Sequence, residues 1–196
     1  MTTATAPNPP AVTPSVQTRG YSTVADLLRQ LGDIPADRVR MEPTPGLATL
    51  ADLIQTNERR LGPTCEWIDN TLVEKPTGLH ESWLTVIIIG EICSYLDKHD
   101  VGMCSAPDGV VKILPGIGRA PDVAVFLWDS LPDGKPPARE DKVPAIVPDL
   151  VIEVLSASNT PAEMARKRDE YFRAGVKQVW EIEPESRSAN VFTGPD

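Results

Sequence analysis

Two charged residues fall where the sequence pattern asks for apolar ones, and their types suit the chemistry of a cation and a phosphate. Glu153 lies inside V-P-D-L-V-I-E-V-L, a run that reads as a strand over residues 149–155. Leu150, Ile152 and Val154 share one face of that strand, and Val151, Glu153 and Leu155 share the other. Both faces are apolar apart from Glu153, so the strand belongs in the middle of a sheet. An unpartnered carboxylate there would cost several kcal/mol or take up a proton. Glu153 must therefore be paired, protonated or bound to a cation. Lys167 lies on the following helix, on the stripe of Met164, Tyr171 and Ala174. Two opposite charges thus point inward from consecutive elements. The pattern fits a structural ion pair with a snorkelling lysine as well as it fits a working pair.

A second carboxylate decides what such a pair could do. Two Pro-Asp pairs are present, Pro121-Asp122 and Pro148-Asp149. Asp149 and Glu153 share one strand four residues apart, roughly 13 Å between Cα atoms. Ligands of one Mg2+ must bring oxygens within about 2.1 Å of it, so Asp149 is a poor partner. Asp122 begins a different strand, read over residues 120–127. If the two strands are neighbours, about 4.8 Å apart, Asp122 and Glu153 can share an ion. Oxygen-only ligands favour Mg2+ or Mn2+ over zinc. Two carboxylates and an inward lysine make a set for metal-assisted phosphodiester hydrolysis. Taken alone, Asp122 also reads as a solvated strand end.

The elements that must position these residues follow from capping and periodicity. Thr160, Pro161 and Glu163 open the helix that carries Lys167 as a Thr-x-x-Glu capping box, and Gly175 closes it. Upstream, E-W-I-D-N-T-L-V-E reads as a hairpin turning at Asp69-Asn70. Residues 80–99 read as a long helix with Leu84, Ile87, Ile88 and Ile92 on its apolar face. Glu81 sits in its first turn, where the helix dipole favours an acidic residue. Strands are expected at 106–114, 120–127, 178–182 and 189–192, around one mixed sheet. Residues 128–146 form a long Pro-rich connection, expected as a mobile surface loop near the site. Arg119, just before Pro121-Asp122, is either a phosphate contact or a surface residue.

Composition narrows the classes. The chain has 196 residues, 41% hydrophobic, with a formal net charge of −9. That charge provides no broad basic surface for nucleic acid, so any such role must rest on local patches or metal ions. Cys65, Cys93 and Cys104 lack metal-ligand spacing and read as reduced thiols of a cytoplasmic protein. The apolar run 84–89 is too short to span a bilayer, and no signal peptide is visible. Residues 1–20, rich in Thr, Ala and Pro, are expected to be a disordered tail. Residues 21–64 are expected as a helical extension, its first helix capped at Ser22, and residues 65–196 as the folded domain.

The segments P-D-V-A-V-F, P-D-L-V-I-E-V-L-S-x-S-N-T and E-M-x-R-K-x-x-E-Y-F-x-A-G-V-x-x-V-W-x-I-x-P resemble the Uma-two family of endonucleases, within the PD-(D/E)XK superfamily. The opening E-W-I-D-N-T-L-V-E-K-P is similar to the family's E-L-I-D-G-x-L-V-x-x-P. The resemblance spans residues 65–196. It implies an α+β (α/β) fold with a restriction-endonuclease-like αβββαβ core, a mixed sheet flanked by helices. It also implies Mg2+ or Mn2+, DNA as substrate, no membrane, and a homodimer as one assembly; such proteins are common in bacteria. Residue by residue, Asp122 matches the Pro-Asp aspartate and Glu153 the glutamate of Glu-x-Lys. Leu155 stands where the superfamily has lysine, and Lys167 takes that place from the next helix. Glu81 is the candidate first-helix glutamate. On this reading Asp122, Glu153 and the Val154 carbonyl hold the metal, while Lys167, Glu81 and Tyr171 complete the catalytic set. Asn70 departs from the family's glycine, and the chain ends at Asp196 where relatives continue through a further strand and an apolar tail. The rival reading is a catalytically silent, nuclease-like binding or regulatory module.

Overall fold

Prolines divide the strands of this protein between two sheets. The structure is a computed structural model that describes residues 21–60, 62–76 and 78–195; the tail expected over residues 1–20 lies outside the described residues. Helices α1 (Val24–Gln30) and α2 (Leu50–Arg59) precede the hairpin β1 (Cys65–Ile68) and β2 (Thr71–Glu74). Helix α3 (Leu79–His99) leads to β3 (Gly102–Ser105), β4 (Val111–Leu114), β5 (Ile117–Arg119) and β6 (Val123–Leu127). Then follow β7 (Leu150–Val154), α4 (Pro161–Ala174), β8 (Gln178–Glu183) and β9 (Ser188–Phe192).

The α+β class is as expected, but the single sheet is not. One sheet has the order β2-β1-β5-β4 and is antiparallel throughout; the other has the order β3-β6-β7-β8-β9. Among the described strands only β7 and β8 pair in parallel, joined by the α4 crossover. The strand expected over 106–114 is interrupted by the turn at Pro107-Asp108-Gly109, which sends β3 to one sheet and β4 to the other. Likewise the stretch 115–119, left between the two expected strands 106–114 and 120–127, is not all loop: a tight turn with Gly116 at φ +77° leads into Ile117–Arg119, the strand β5. Pro121 then separates β5 from β6.

Helix α4 packs between the sheets, against β4 and β8, where Tyr171 joins Ile113, Ile117, Phe126, Val151 and Val179 in the main core. Helix α3 lies on β3, β6 and β7. Its buried side is close to the one expected: Leu84, Ile88 and Ile92 are half-buried in line with the buried Thr85 and Leu96, and only Ile87, 44% exposed, falls off that face. Val86 and Ile87 make part of its outer side apolar as well, so periodicity marks the face only loosely there.

The N-terminal extension is stitched onto the domain. Leu27, Leu31 and Ile34 pack on Ile68 and Val73, and Leu53 packs beside Trp67. The cap of α1 is Thr23, not Ser22. Gly32, at φ +94°, passes so close to α4 that a Cβ would lie 2.6 Å from Glu163 Cα. The 128–146 connection is anchored by buried Leu131, Val143 and Ile146, with Lys112 N–H bonded to the Pro144 carbonyl at 2.9 Å.

Candidate active site

The geometry of the site starts with a register. Strands β6 and β7 pair antiparallel with Val123 opposite Ile152. One step outward, that register sets Asp122 opposite Glu153. Asp122 Oδ2 accepts from the Val154 N–H at 2.7 Å, so its carboxylate is folded onto the end of β7. A strand residue's N–H and C=O point the same way, which turns the Val154 carbonyl toward Asp122 as well. Asp149 is held apart, as its spacing predicts. It accepts from Leu127 N–H at 2.8 Å, Ser130 Oγ at 2.7 Å and Lys177 Nζ at 2.6 Å. Burial alone would raise its carboxyl, but those bonds outweigh it and hold the carboxyl below the usual range.

Glu153 is 3% exposed. Tyr171 donates to its Oε1 at 2.7 Å, and Lys167 Nζ lies 3.3 Å from Oε2. Tyr171 and Lys167 reach it because α4 places them one turn apart on its buried stripe. Burial pushes the Glu153 carboxyl up, and the Asp122 charge adds to this; Lys167 pulls the other way without reversing it. Lys167, 2% exposed, stays charged: burial disfavours the ammonium, but Glu153, Glu66 and Glu163 together raise its pKa.

Helix α4 is seated differently from its capping-box expectation. Thr160 Oγ1 accepts from Glu163 N–H at 3.0 Å, half of the motif. The Glu163 carboxylate turns instead to Arg38, with contacts of 3.0 and 2.7 Å, and to Asn159 at 3.1 Å. A charge-assisted, two-pronged bond across the fold outweighs a local return to the cap.

Two residues of the site were not anticipated. Glu66, fully buried on β1, lies 3.8 Å from Lys167 and 2.8 Å from Arg119. Burial opposes its ionisation, yet Lys167, Arg119 and Lys75 bring its pKa down to about 2. Its signal was the one that revealed Glu153: a charge inside a short strand that is otherwise apolar. Lys75, which follows β2, places its ammonium 2.8 Å from Asp122 Oδ1 and 2.6 Å from the Ala120 carbonyl. No periodicity marks it. Arg119 is neither surface-exposed nor aimed at a cleft. It is 1% exposed and locked between Glu66 and Glu170, whose Oε2 accepts from it at 2.8 and 2.5 Å.

Asp122, Glu153, Val154, Lys167, Lys75 and Glu81 line one cavity of ≈ 30 Å³, room for a water or two or one small ion. Glu81 arrives from the first turn of α3, its carboxylate folded back over Gly78. A wider cleft of ≈ 300 Å³ adjoins the cavity, sharing Lys75, Glu81 and Asp122 and continuing to Asp108 and Thr85. Among the described residues no three His, Cys, Asp or Glu side chains converge as a metal cluster. An ion here would rest on Asp122, Glu153 and a backbone oxygen. That all-oxygen set in a space of this size fits a hard divalent ion. The 128–146 connection contributes nothing to the cavity lining.

A family model described as "Putative restriction endonuclease", Uma2, matches residues 50–196. The chain belongs to the Uma2 family. Among solved structures, a "putative nuclease" of the DUF820 group from Anabaena variabilis is similar in fold, with a TM-score of 0.52 and 20% identity over 68% of this chain and 79% of that one. No curated protein matches the chain. Within this Uma2 protein, the matched region contains every residue of the cavity and leaves out α1 and Arg38, which buttress α4 from outside it. No described helix is long and apolar enough to cross a membrane.

Proposed function

We propose that this Uma2 protein is a DNA endonuclease that hydrolyses phosphodiester bonds with Mg2+ or Mn2+. The observation that carries the reading is the meeting of Asp122, Glu153 and Lys167 at one small cavity beside an open cleft. Asp122, Glu153 and the Val154 carbonyl would hold the ion. When bound, it would acidify a water and neutralise charge on the scissile phosphate. The remaining work falls to the chain. Lys167, kept charged by its carboxylate neighbours, is placed to stabilise charge that develops at the phosphate. Burial pushes the Glu153 carboxyl up, which suits it to take a proton when no ion is held there. Tyr171 fixes the Glu153 rotamer through its 2.7 Å bond. Glu81 borders both cavity and cleft and is placed to bind water at the mouth.

One observation favours the rival reading of a silent, nuclease-like module. All four oxygens of Asp122 and Glu153 already have protein partners: Val154 N–H, Lys75, Tyr171 and Lys167. Plasmid cleavage separates the two. The enzyme reading requires Mg2+- or Mn2+-dependent nicking or linearisation that is lost in Asp122→Asn. A homogeneous, folded wild-type protein that leaves DNA intact with either ion establishes the module.

A further inference from the structure

The cavity carries its own counter-ions. Asp122 and Glu153 face Lys75 and Lys167, so the four side chains sum to a formal charge of zero. The two lysines are not equivalent. Lys167 belongs to the core face of α4 and lies between two buried carboxylates, Glu153 at 3.3 Å and Glu66 at 3.8 Å. It keeps a partner whatever happens to either one. Among the described residues, Lys75 has one carboxylate within ion-pair distance, Asp122 at 2.8 Å, and otherwise donates to the neutral Ala120 carbonyl. Its position also differs. Lys75 is 6% exposed, yet it lines both the inner cavity and the outer cleft. Two further carboxylates, Glu81 and Asp108, line that cleft beside it.

We propose that Lys75 is a positioning residue, a tethered cation that holds Asp122 against the end of β7 until a divalent ion displaces it into the cleft. The proposal rests on the metal-dependent reading above. Without Lys75, Asp122 and Glu153 would stand opposite each other with only one ammonium between them, and their repulsion would splay the pair. With Lys75, the carboxylate is aimed before any ion arrives. The same contact makes the ion's arrival harder, because the ion meets a neutral cluster and must break a charge-assisted bond. Once displaced, the ammonium has the Glu81 and Asp108 carboxylates within the same cleft.

A purely structural lysine and an exchanging one predict opposite effects on metal binding. Mn2+ is titrated into wild type, Lys75→Met and Lys75→Gln, with free Mn2+ read by electron paramagnetic resonance and Asp122→Asn as the control. Glutamine retains a donor for the Ala120 carbonyl without the charge. Exchange predicts that both uncharged variants bind at least about tenfold more tightly than wild type, since a neighbouring positive charge is removed from a poorly solvated site. Unchanged or weaker binding in both variants overturns the role of Lys75 while leaving the metal reading standing. No binding by wild type or either variant overturns both. A measurement on the wild-type protein is independent of how the variants fold: acetylation of lysines, mapped by mass spectrometry. Lys75 should be protected without metal and become labelled when Mn2+ is bound, while Lys167 stays protected in both states. Equal protection of Lys75 in the loaded protein overturns the proposal.

Discussion

Two buried charge clusters lie side by side in this protein, and they are built differently. In the first, the Arg119 guanidinium is clamped between Glu66 and Glu170, and Glu170 is clamped again by Arg166 at 2.6 Å. Contacts are short, both arginines offer planar forks, and Arg119, Glu66 and Glu170 are absent from the lining of the site cavity. In the second, Asp122, Glu153, Lys75 and Lys167 surround a space of ≈ 30 Å³, and Lys167 stands off at 3.3 and 3.8 Å. Lysine is a point charge on a flexible stem, able to move between partners, whereas arginine in a fork is fixed. Glu66 touches both clusters and ties the closed one to the open one. Burying a charge is thus no sign of function by itself. Burying it beside a space, with a partner that can let go, is the distinguishing arrangement.

The contrast can be broken most severely at Lys167. Lys167→Met is expected to lower metal-dependent plasmid cleavage by about 10³-fold, the scale seen when a donor to transition-state charge is lost. The same variant leaves Glu153 and Glu66 without their shared ammonium. Its unfolding midpoint should fall in metal-free buffer and recover substantially with Mg2+. If cleavage persists at the wild-type rate, Lys167 belongs with the structural cluster.

Arg119→Met attacks the closed cluster. It strands Glu66 and Glu170 in the core, so a stability loss of about 3–5 kcal/mol is expected in denaturant unfolding. Added Mg2+ should restore little of it, because Arg119, Glu66 and Glu170 lie outside the cavity that Asp122 and Glu153 line. Rescue equal to that of Lys167→Met would erase the distinction between the clusters.

Acid sharpens the comparison through Glu66 and Glu153, whose carboxyls shift in opposite directions. Glu66 is depressed to about 2 from 4.5. Its ionisation therefore stabilises the fold above about pH 4.5, and that contribution drains away as pH falls toward 2. Glu153 is raised, so protonation becomes favourable in the folded protein before it does in the unfolded chain, and its titration opposes the loss. Wild-type stability should decline below about pH 4.5, and Glu66→Gln should flatten that limb. A Glu66→Gln profile parallel to wild type would mean that Glu66 is not held ionised.

The smallest effect is expected at Asp149, the acidic residue that shares the Pro-Asp pattern without sharing the cavity. Asp149→Asn loses a charge-assisted bond and weakens two others, for about 1–2 kcal/mol of stability. Metal affinity and cleavage should be unchanged. A loss of Mn2+ binding in this variant would move the site to the other end of β7.

The chemistry-bearing residues were legible in the sequence because each broke a local rule. Glu153 interrupts a strand apolar on both faces, and Lys167 interrupts a helix stripe, so both had to be buried and partnered. Strand spacing alone removed Asp149 from the set. Glu66 broke the same rule as Glu153 and could have been read in the same way. The division into two sheets was not legible, because a Pro-Asp-Gly turn within 106–110 shows where a strand pauses but not which sheet it joins afterwards. The buried face of α3 was legible at Leu84, Ile88 and Ile92 but not at Ile87, whose apolar side chain is exposed. Lys75 and Arg119 were decided only by tertiary structure. Their side chains are long, nothing in their neighbours' periodicity marks them, and their charge partners lie 47 to 53 positions away in the chain. Local pattern determines which residues must turn inward. Which charges then meet depends on how the chain crosses itself, and that is settled by packing.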